Sequence, residues 1–153
     1  MWCRSNRPFQ PRTRWQGVLR PPRLWISSER EGRSMITSNF SRYNLEKKSN
    51  PLFSNPWKIA RSARWYSGPE YPALYPSQSL LNAWNASEIS EADYTKRYIE
   101  ETLSRLDPRK IYHDLGEDAV LLCHEAPGKF CHRRLVAAWL EDNLGIEVPE
   151  FRK

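Results

Sequence analysis

The chain has 153 residues and a formal net charge of +6, but eight of its 24 basic residues and only two of its 18 acidic residues lie within the first 34 positions. The remaining 119 residues therefore carry 16 basic and 16 acidic side chains. This charge balance does not support nucleic acid as a partner, but it does leave a nucleic-acid partner possible. No apolar run reaches the ~20 residues of a membrane span. Only two cysteines follow Met35, which are too few for a disulfide framework. We therefore expect a cytoplasmic protein without a membrane partner.

Residues 1–34 differ in composition from the rest of the chain. They contain eight arginines and no lysine, and they show neither helical nor strand periodicity. Residues 28–34 can be encoded by purine-rich codons, as in a bacterial ribosome-binding site, so we predict a spurious or disordered extension and a translation start at Met35. The alternatives are a basic arm that binds nucleic acid and an organellar transit peptide.

Three segments have the composition of β-strands: residues 35–40, 57–61 and 119–123. Residues 147–151 are a candidate fourth strand. The polar residues 41–56 between the first two strands are predicted to form a loop.

An aromatic and proline-rich stretch covers residues 63–76. Its apolar character predicts an ordered loop that packs over the domain. Trp65 and Tyr66 either cover the core or form the wall of a ligand pocket near Arg61.

Helical periodicity and capping residues predict the helices of the chain. Ser77 and Ser90 are N-cap residues for helices over residues 77–84 and 91–106. A short helix over residues 109–115 follows, and the last helix covers residues 130–144. Six side chains should belong to the core: Ile99, Leu121, Leu135, Val136, Trp139 and Leu140.

The strand, loop and helix within residues 118–146 bring reactive residue types to one place. Cys123 ends the strand and Glu125 follows it, while Cys131, His132, Arg133 and Arg134 lie at the start of the helix. In an open α/β sheet, strand ends and helix starts face one crevice. Helix amides and guanidinium groups there predict a phosphate or carboxylate site, and the same field should lower the pKa of the Cys131 thiol.

We assign chemical roles to these residues as hypotheses. Cys131 or Cys123 is the nucleophile or redox partner, and His132 and Glu125 move or orient protons. Arg133 and Arg134 bind the ligand, with Arg61, Trp65 and Tyr66. A metal site is not favoured, because no Cys-x-x-Cys pair is present. The cysteines are eight positions apart, and that spacing leaves open whether their side chains meet; they can also be structural, as buried thiols often are.

The motifs Cys123-His-Glu125 and Cys131-His132-Arg133, with Pro127-Gly128 between them, resemble the bacterial and phage family called domain of unknown function 488 (DUF488). The resemblance covers residues 35 to about 150 and implies a compact α/β domain with the signature positions Cys123, Glu125, Cys131, His132 and Arg133. It implies no particular activity or cofactor.

The sequence therefore predicts a small single α/β domain over residues 35–153, with a three- to four-stranded, largely parallel, Rossmann-like sheet covered by helices. The leading function is an enzyme that acts on a nucleotide, nucleic acid or other phosphorylated ligand. The alternative is a non-catalytic binding or host-interaction module with structural cysteines.

Overall fold

The computed structural model describes residues 34–152, so the prediction for residues 1–34 falls almost entirely outside the described part. Three parallel strands, β1 (Ile36–Asn39), β2 (Pro56–Lys58) and β3 (Val120–Cys123), form one open sheet in the order β1-β3-β2. All four residues of β3 are buried. A strand covered on both faces has this continuous apolar character, which the sequence Val-Leu-Leu-Cys provides.

Five α-helices accompany the sheet within the described residues. They are α1 (Phe40–Glu46), α2 (Gln78–Asn85), α3 (Glu91–Glu101), α4 (Pro108–Leu115) and α5 (His132–Leu144), and short 3-10 turns cover Pro51–Phe53, Pro72–Leu74 and Leu103–Arg105. No helix between residues 34 and 152 has the length and apolarity needed to cross a membrane.

The predicted caps are present and explain where the helices begin and end. The Ser77 hydroxyl accepts from the Leu80 amide at the start of α2, and Ser90 forms a reciprocal capping box with Asp93 at the start of α3. Gly116 ends α4 with a φ of 99°, a conformation that side-chain-bearing residues rarely adopt.

Two hydrophobic clusters pack against the sheet, and alternate residues of β3 belong to different clusters. Leu121 is in the larger cluster, whereas Val120 and Leu122 are in the smaller one. Helices α3, α4 and α5 supply much of the larger cluster. Four of the six predicted core residues are buried: Leu121, Leu135, Val136 and Leu140. The other two, Ile99 and Trp139, are partly buried and pack against the core.

The prediction of a loop over residues 41–56 is wrong for residues 41–46, which are helical, and for Pro51–Phe53, which form a 3-10 turn. Helix α1 begins directly after β1, because the Asn39 side chain accepts from the Arg42 amide and caps it. Only Phe40 of this helix is buried. Such a short helix, with a single buried residue, lacks the periodicity by which longer helices are recognised.

The fourth strand and the Rossmann-like arrangement are not confirmed. Residues 147–151 make only an isolated parallel bridge between Thr37 and Glu150, outside the named strands. The backbone N–H of Thr37 donates to the Pro149 carbonyl, and the Thr37 carbonyl accepts from the Phe151 amide. Pro149 has no N–H group, which limits how far this pairing can extend.

Candidate functional site

A pocket of about 180 Å³ lies at the edge where the parallel strands end. Residues 60–62, which follow β2, line one part of it. Residues 123–125, at the end of β3, and Cys131 and His132, at the start of α5, line another. Short segments from separate parts of the chain meet here because the strands are parallel and their carboxyl ends share one edge.

Cys123, Cys131 and His132 form one buried cluster in the wall of this pocket. The Nδ1 atom of His132 lies 3.6 Å from the Cys123 Sγ atom and 4.0 Å from the Cys131 Sγ atom. The three atoms all lie within 4.8 Å of one another. The two thiols that are eight positions apart in sequence are therefore brought together, because β3 and α5 flank the same loop.

The backbone fixes the orientation of the His132 ring. Its Nε2 atom lies 2.6 Å from the carbonyl oxygen of Ile59, the residue after β2. A carbonyl oxygen only accepts hydrogen bonds, so Nε2 carries the hydrogen, and in the neutral ring the Nδ1 lone pair points toward the two thiols. The Tyr98 ring packs edge-on against the imidazole at 5.4 Å between centroids.

The prediction of a lowered pKa for the Cys131 thiol is wrong. Burial raises the pKa of Cys131 well above its usual value, and the neighbouring Cys123 adds to the rise. His132 acts in the opposite direction but does not compensate. The helix field is outweighed because the thiol is only 5% exposed and the thiolate would lose its hydration.

Polar groups surround the mouth of the pocket. Glu125 is exposed, and its Oε1 atom lies 3.9 Å from the Cys123 Sγ atom. Arg61 is exposed, and its Nε donates to the Pro76 carbonyl at 3.0 Å, which holds the side chain at the rim. Ser62 and His124 are hydrogen-bonded to each other at 3.0 Å.

The other two arginines that the sequence predicts to bind ligand, Arg133 and Arg134, form hydrogen bonds within the fold. Arg133 is fully buried, and its guanidinium donates to both carboxylate oxygens of Glu150, at 3.1 and 2.7 Å. Arg134 donates to the Thr37 hydroxyl and to the Val148 carbonyl. Both arginines connect α5 to the segment that follows it, and ligand binding by them stays a prediction.

The aromatic residues 65 and 66 pack beside the sheet and are not among the residues that line the pocket. Trp65 is 56% exposed and lies edge-on to Phe40, while Tyr66 is buried and its hydroxyl donates to the Pro56 carbonyl. Their prediction as ligand contacts stays a prediction.

Some pocket residues were not singled out by the sequence. Tyr94 lines the pocket from α3, Trp84 and Asn85 line it from α2, and Phe130 lines it from the loop before α5. Tyr94 had the helical spacing of a core residue, and the Ile59 carbonyl that orients His132 has no sequence signal. Only the packing of α2 against α3 and of α3 against α5, together with the pairing of β2 with β3, brings these groups to the site.

Comparison with known proteins agrees with the motifs at this site. A family model described as the active DUF488-N3 subclade, DUF488-N3a, matches residues 44–144. No curated protein and no solved structure matches the chain significantly. The matched range includes the pocket and the Cys-x-Glu and Cys-His-Arg motifs, and it confirms the resemblance drawn from them. The chain belongs to the DUF488 family.

Proposed function

We propose that this protein is an enzyme that acts on a nucleotide or another small phosphate-bearing ligand in the pocket beside Cys123. The observation that carries the proposal is the convergence of two thiols, an imidazole and a carboxylate on one pocket wall. Reactive groups of this kind concentrate at catalytic sites. The matched family model is described as an active subclade, a label that agrees with an enzyme but names no reaction or ligand.

The ligand-binding part of the proposal rests on positive groups at the pocket. Arg61 is exposed at the rim, and the amides in the first turn of α5 lie at the positive end of a helix dipole. The N-cap residue of that helix, Cys131, makes no side-chain hydrogen bond to the first turn. An anionic group is therefore the ligand chemistry that these donors favour.

The reactive part of the proposal assigns one role to each remaining group. Cys123, Cys131 and His132 form the reactive centre, and the Ile59 carbonyl holds the imidazole in one tautomer. Glu125 moves a proton at the mouth of the pocket, because its carboxylate is exposed and adjacent to the centre.

Binding and turnover can be tested separately with the full chain. Inorganic phosphate, AMP and ATP serve as probes, with calorimetry for binding and phosphorus NMR for turnover. Arg61→Gln should weaken binding about tenfold, because a charge-assisted hydrogen bond is worth about 1.5–3 kcal/mol. Arg64→Gln is the matched control, since Arg64 is also exposed but is not among the residues that line the pocket.

Glu125→Gln tests the catalytic role. It should lower turnover by about 100-fold while leaving the dissociation constant unchanged, as expected for loss of a general acid or base. Binding that Arg61→Gln does not affect, together with no turnover of any probe, would contradict the proposal.

A non-catalytic binding module is the second candidate. The observation that favours it is the burial of both thiols, since structural cysteines are buried and inert. Ligand binding that depends on Arg61, without turnover of any probe, would support the module and reject the enzyme.

A further inference from the structure

We propose that Cys123, Cys131 and His132 bind a zinc ion whose fourth coordination position faces the pocket. The proposal goes beyond the function given above, because it concerns what the reactive centre holds and stands whether or not the protein is an enzyme. Its test measures metal content and not activity.

The distances within the cluster fit tetrahedral zinc. With Zn–S bonds of about 2.3 Å and Zn–N bonds of about 2.0–2.1 Å, tetrahedral geometry separates a sulfur ligand from a nitrogen ligand by about 3.6 Å. The Cys123 Sγ atom lies 3.6 Å from His132 Nδ1, and the Cys131 Sγ atom lies 4.0 Å from it. The two sulfur–nitrogen distances therefore match tetrahedral zinc to within about 0.4 Å, and all three donor atoms lie within 4.8 Å of one another.

The hydrogen bond of the imidazole is the one that a zinc ligand makes. A metal-bound histidine usually donates its second ring N–H to a carboxylate or a backbone carbonyl, which fixes both the tautomer and the ring direction. The His132 Nε2 atom donates to the Ile59 carbonyl at 2.6 Å and leaves Nδ1 facing the sulfur atoms. Nδ1 is thus prepared as a ligand before any ion arrives.

The donor set and its burial select the kind of metal. Two thiols and an imidazole are soft and borderline ligands, which suit zinc and disfavour magnesium or calcium. All three side chains are buried, at 4%, 5% and 5% exposure. Two thiolates with Zn²⁺ form an electrically neutral unit, so binding avoids the cost of leaving an isolated charge in the interior.

Three protein ligands with an open fourth position are typical of a catalytic zinc site, whereas structural sites use four. The ligands of this cluster line the pocket, and Glu125 lies 3.9 Å from the Cys123 sulfur on the open side. An ion held by these three residues would supply Lewis-acid chemistry at the pocket wall, beside the exposed Glu125 side chain. The buried cluster of Cys123, Cys131 and His132 and the exposed Glu125 side chain would then form one site.

The first test measures metal in the full chain purified under reducing conditions without chelator. Elemental analysis by mass spectrometry should find about one zinc ion per chain, as expected for a single site. Cys123→Ser, Cys131→Ser and His132→Ala should each remove most of it. Cys3→Ser and His113→Gln are the matched controls and should retain the metal.

A second measurement does not depend on whether these variants fold. Cobalt(II) added to the metal-free wild-type chain should give the visible bands of a tetrahedral ion and a sulfur-to-cobalt charge-transfer band with the intensity of two thiolates. Cys3→Ser should give the same spectrum. No zinc after purification and no cobalt spectrum would overturn the proposal, as would equal zinc content in the wild type and the three ligand variants.

Discussion

Arg133 is the largest fully buried side chain among the described residues, and it is charged. Two hydrogen bonds to the Glu150 carboxylate compensate part of the lost hydration, and Nη2 also approaches the Ala126 carbonyl at 3.4 Å. The Nη1 atom is buried without a hydrogen-bond partner in the described structure. The arginine of the Cys-His-Arg motif therefore depends on Glu150 for its place in the fold.

Removing the negative charge of this pair should destabilise the protein. Glu150→Gln keeps the shape of the side chain but leaves the buried guanidinium unpaired, so we expect a loss of about 3 kcal/mol in the free energy of unfolding. Urea denaturation measures it. Glu147→Gln, at an exposed position nearby, is the control and should change stability by less than about 0.5 kcal/mol. A loss below 1 kcal/mol for Glu150→Gln would contradict this view of the pair.

The same pair predicts how stability depends on pH. Burial alone would raise the pKa of the Glu150 carboxyl, but hydrogen bonds from Arg133 and Thr37 and the charge of Arg133 lower it below 4.5. A carboxyl whose pKa is lower in the folded state stabilises the fold above its unfolded pKa, and this contribution is lost as the pH falls through the folded value.

The stability difference between wild type and Glu150→Gln should therefore be largest at neutral pH and should shrink as the pH falls below about 4.5. Urea denaturation at a series of pH values from neutral to acid checks this. A difference that stays constant through the acid range would show that the carboxyl does not titrate as a partner of Arg133.

Helices whose ends are marked by a capping residue or a glycine were predicted well, whereas the short helix α1 was missed. Helix α3 begins where Ser90 predicts, and α4 ends at Gly116. The predicted helix over residues 91–106 continues as α3 and then as a 3-10 turn over Leu103–Arg105. Caps and glycines act on their own neighbours in the chain, so they can be read from a single sequence. The short α1 helix has one cap and one buried residue, which is too little signal.

The capping box of α3 can be tested by removing one hydroxyl. Ser90→Ala deletes the acceptor for the Asp93 amide and should cost about 1 kcal/mol in the free energy of unfolding. Thermal or urea denaturation measures the change. Ser49→Ala, at an exposed turn serine, should have no effect beyond about 0.5 kcal/mol. Equal effects of the two substitutions would reject the cap as a stabilising contact.

At the scale of the whole molecule, β3 holds the fold together. It lies between the other two strands, and its side chains enter the hydrophobic clusters on both faces of the sheet. The buried cluster of Cys123, Cys131 and His132 begins at the last residue of this strand. The most buried part of the sheet thus leads directly into the candidate site, which gives that site a rigid support.

Truncation of a β3 side chain should destabilise the whole domain. Leu121→Ala removes a fully buried side chain and should cost about 2–5 kcal/mol, depending on how far the surrounding core relaxes. Leu45→Ala is the matched control, because Leu45 is 71% exposed and should contribute less than about 0.5 kcal/mol. Urea denaturation compares the two, and similar losses would contradict the central role of β3.

The sequence by itself determined the class of the fold, the central strand and loop, the main helices, and the candidate residues of the site. These features rest on periodicity, caps and motifs that involve neighbours along the chain. Only the tertiary structure decided that the two thiols meet at Nδ1 of His132, that the Ile59 carbonyl orients the ring, and that Arg133 turns to Glu150. These contacts join distant parts of the chain. Burial at the site raises the pKa of Cys131, whereas the sequence predicted a lowered pKa. Desolvation depends on what packs around a thiol in the folded chain and not on its neighbours in sequence.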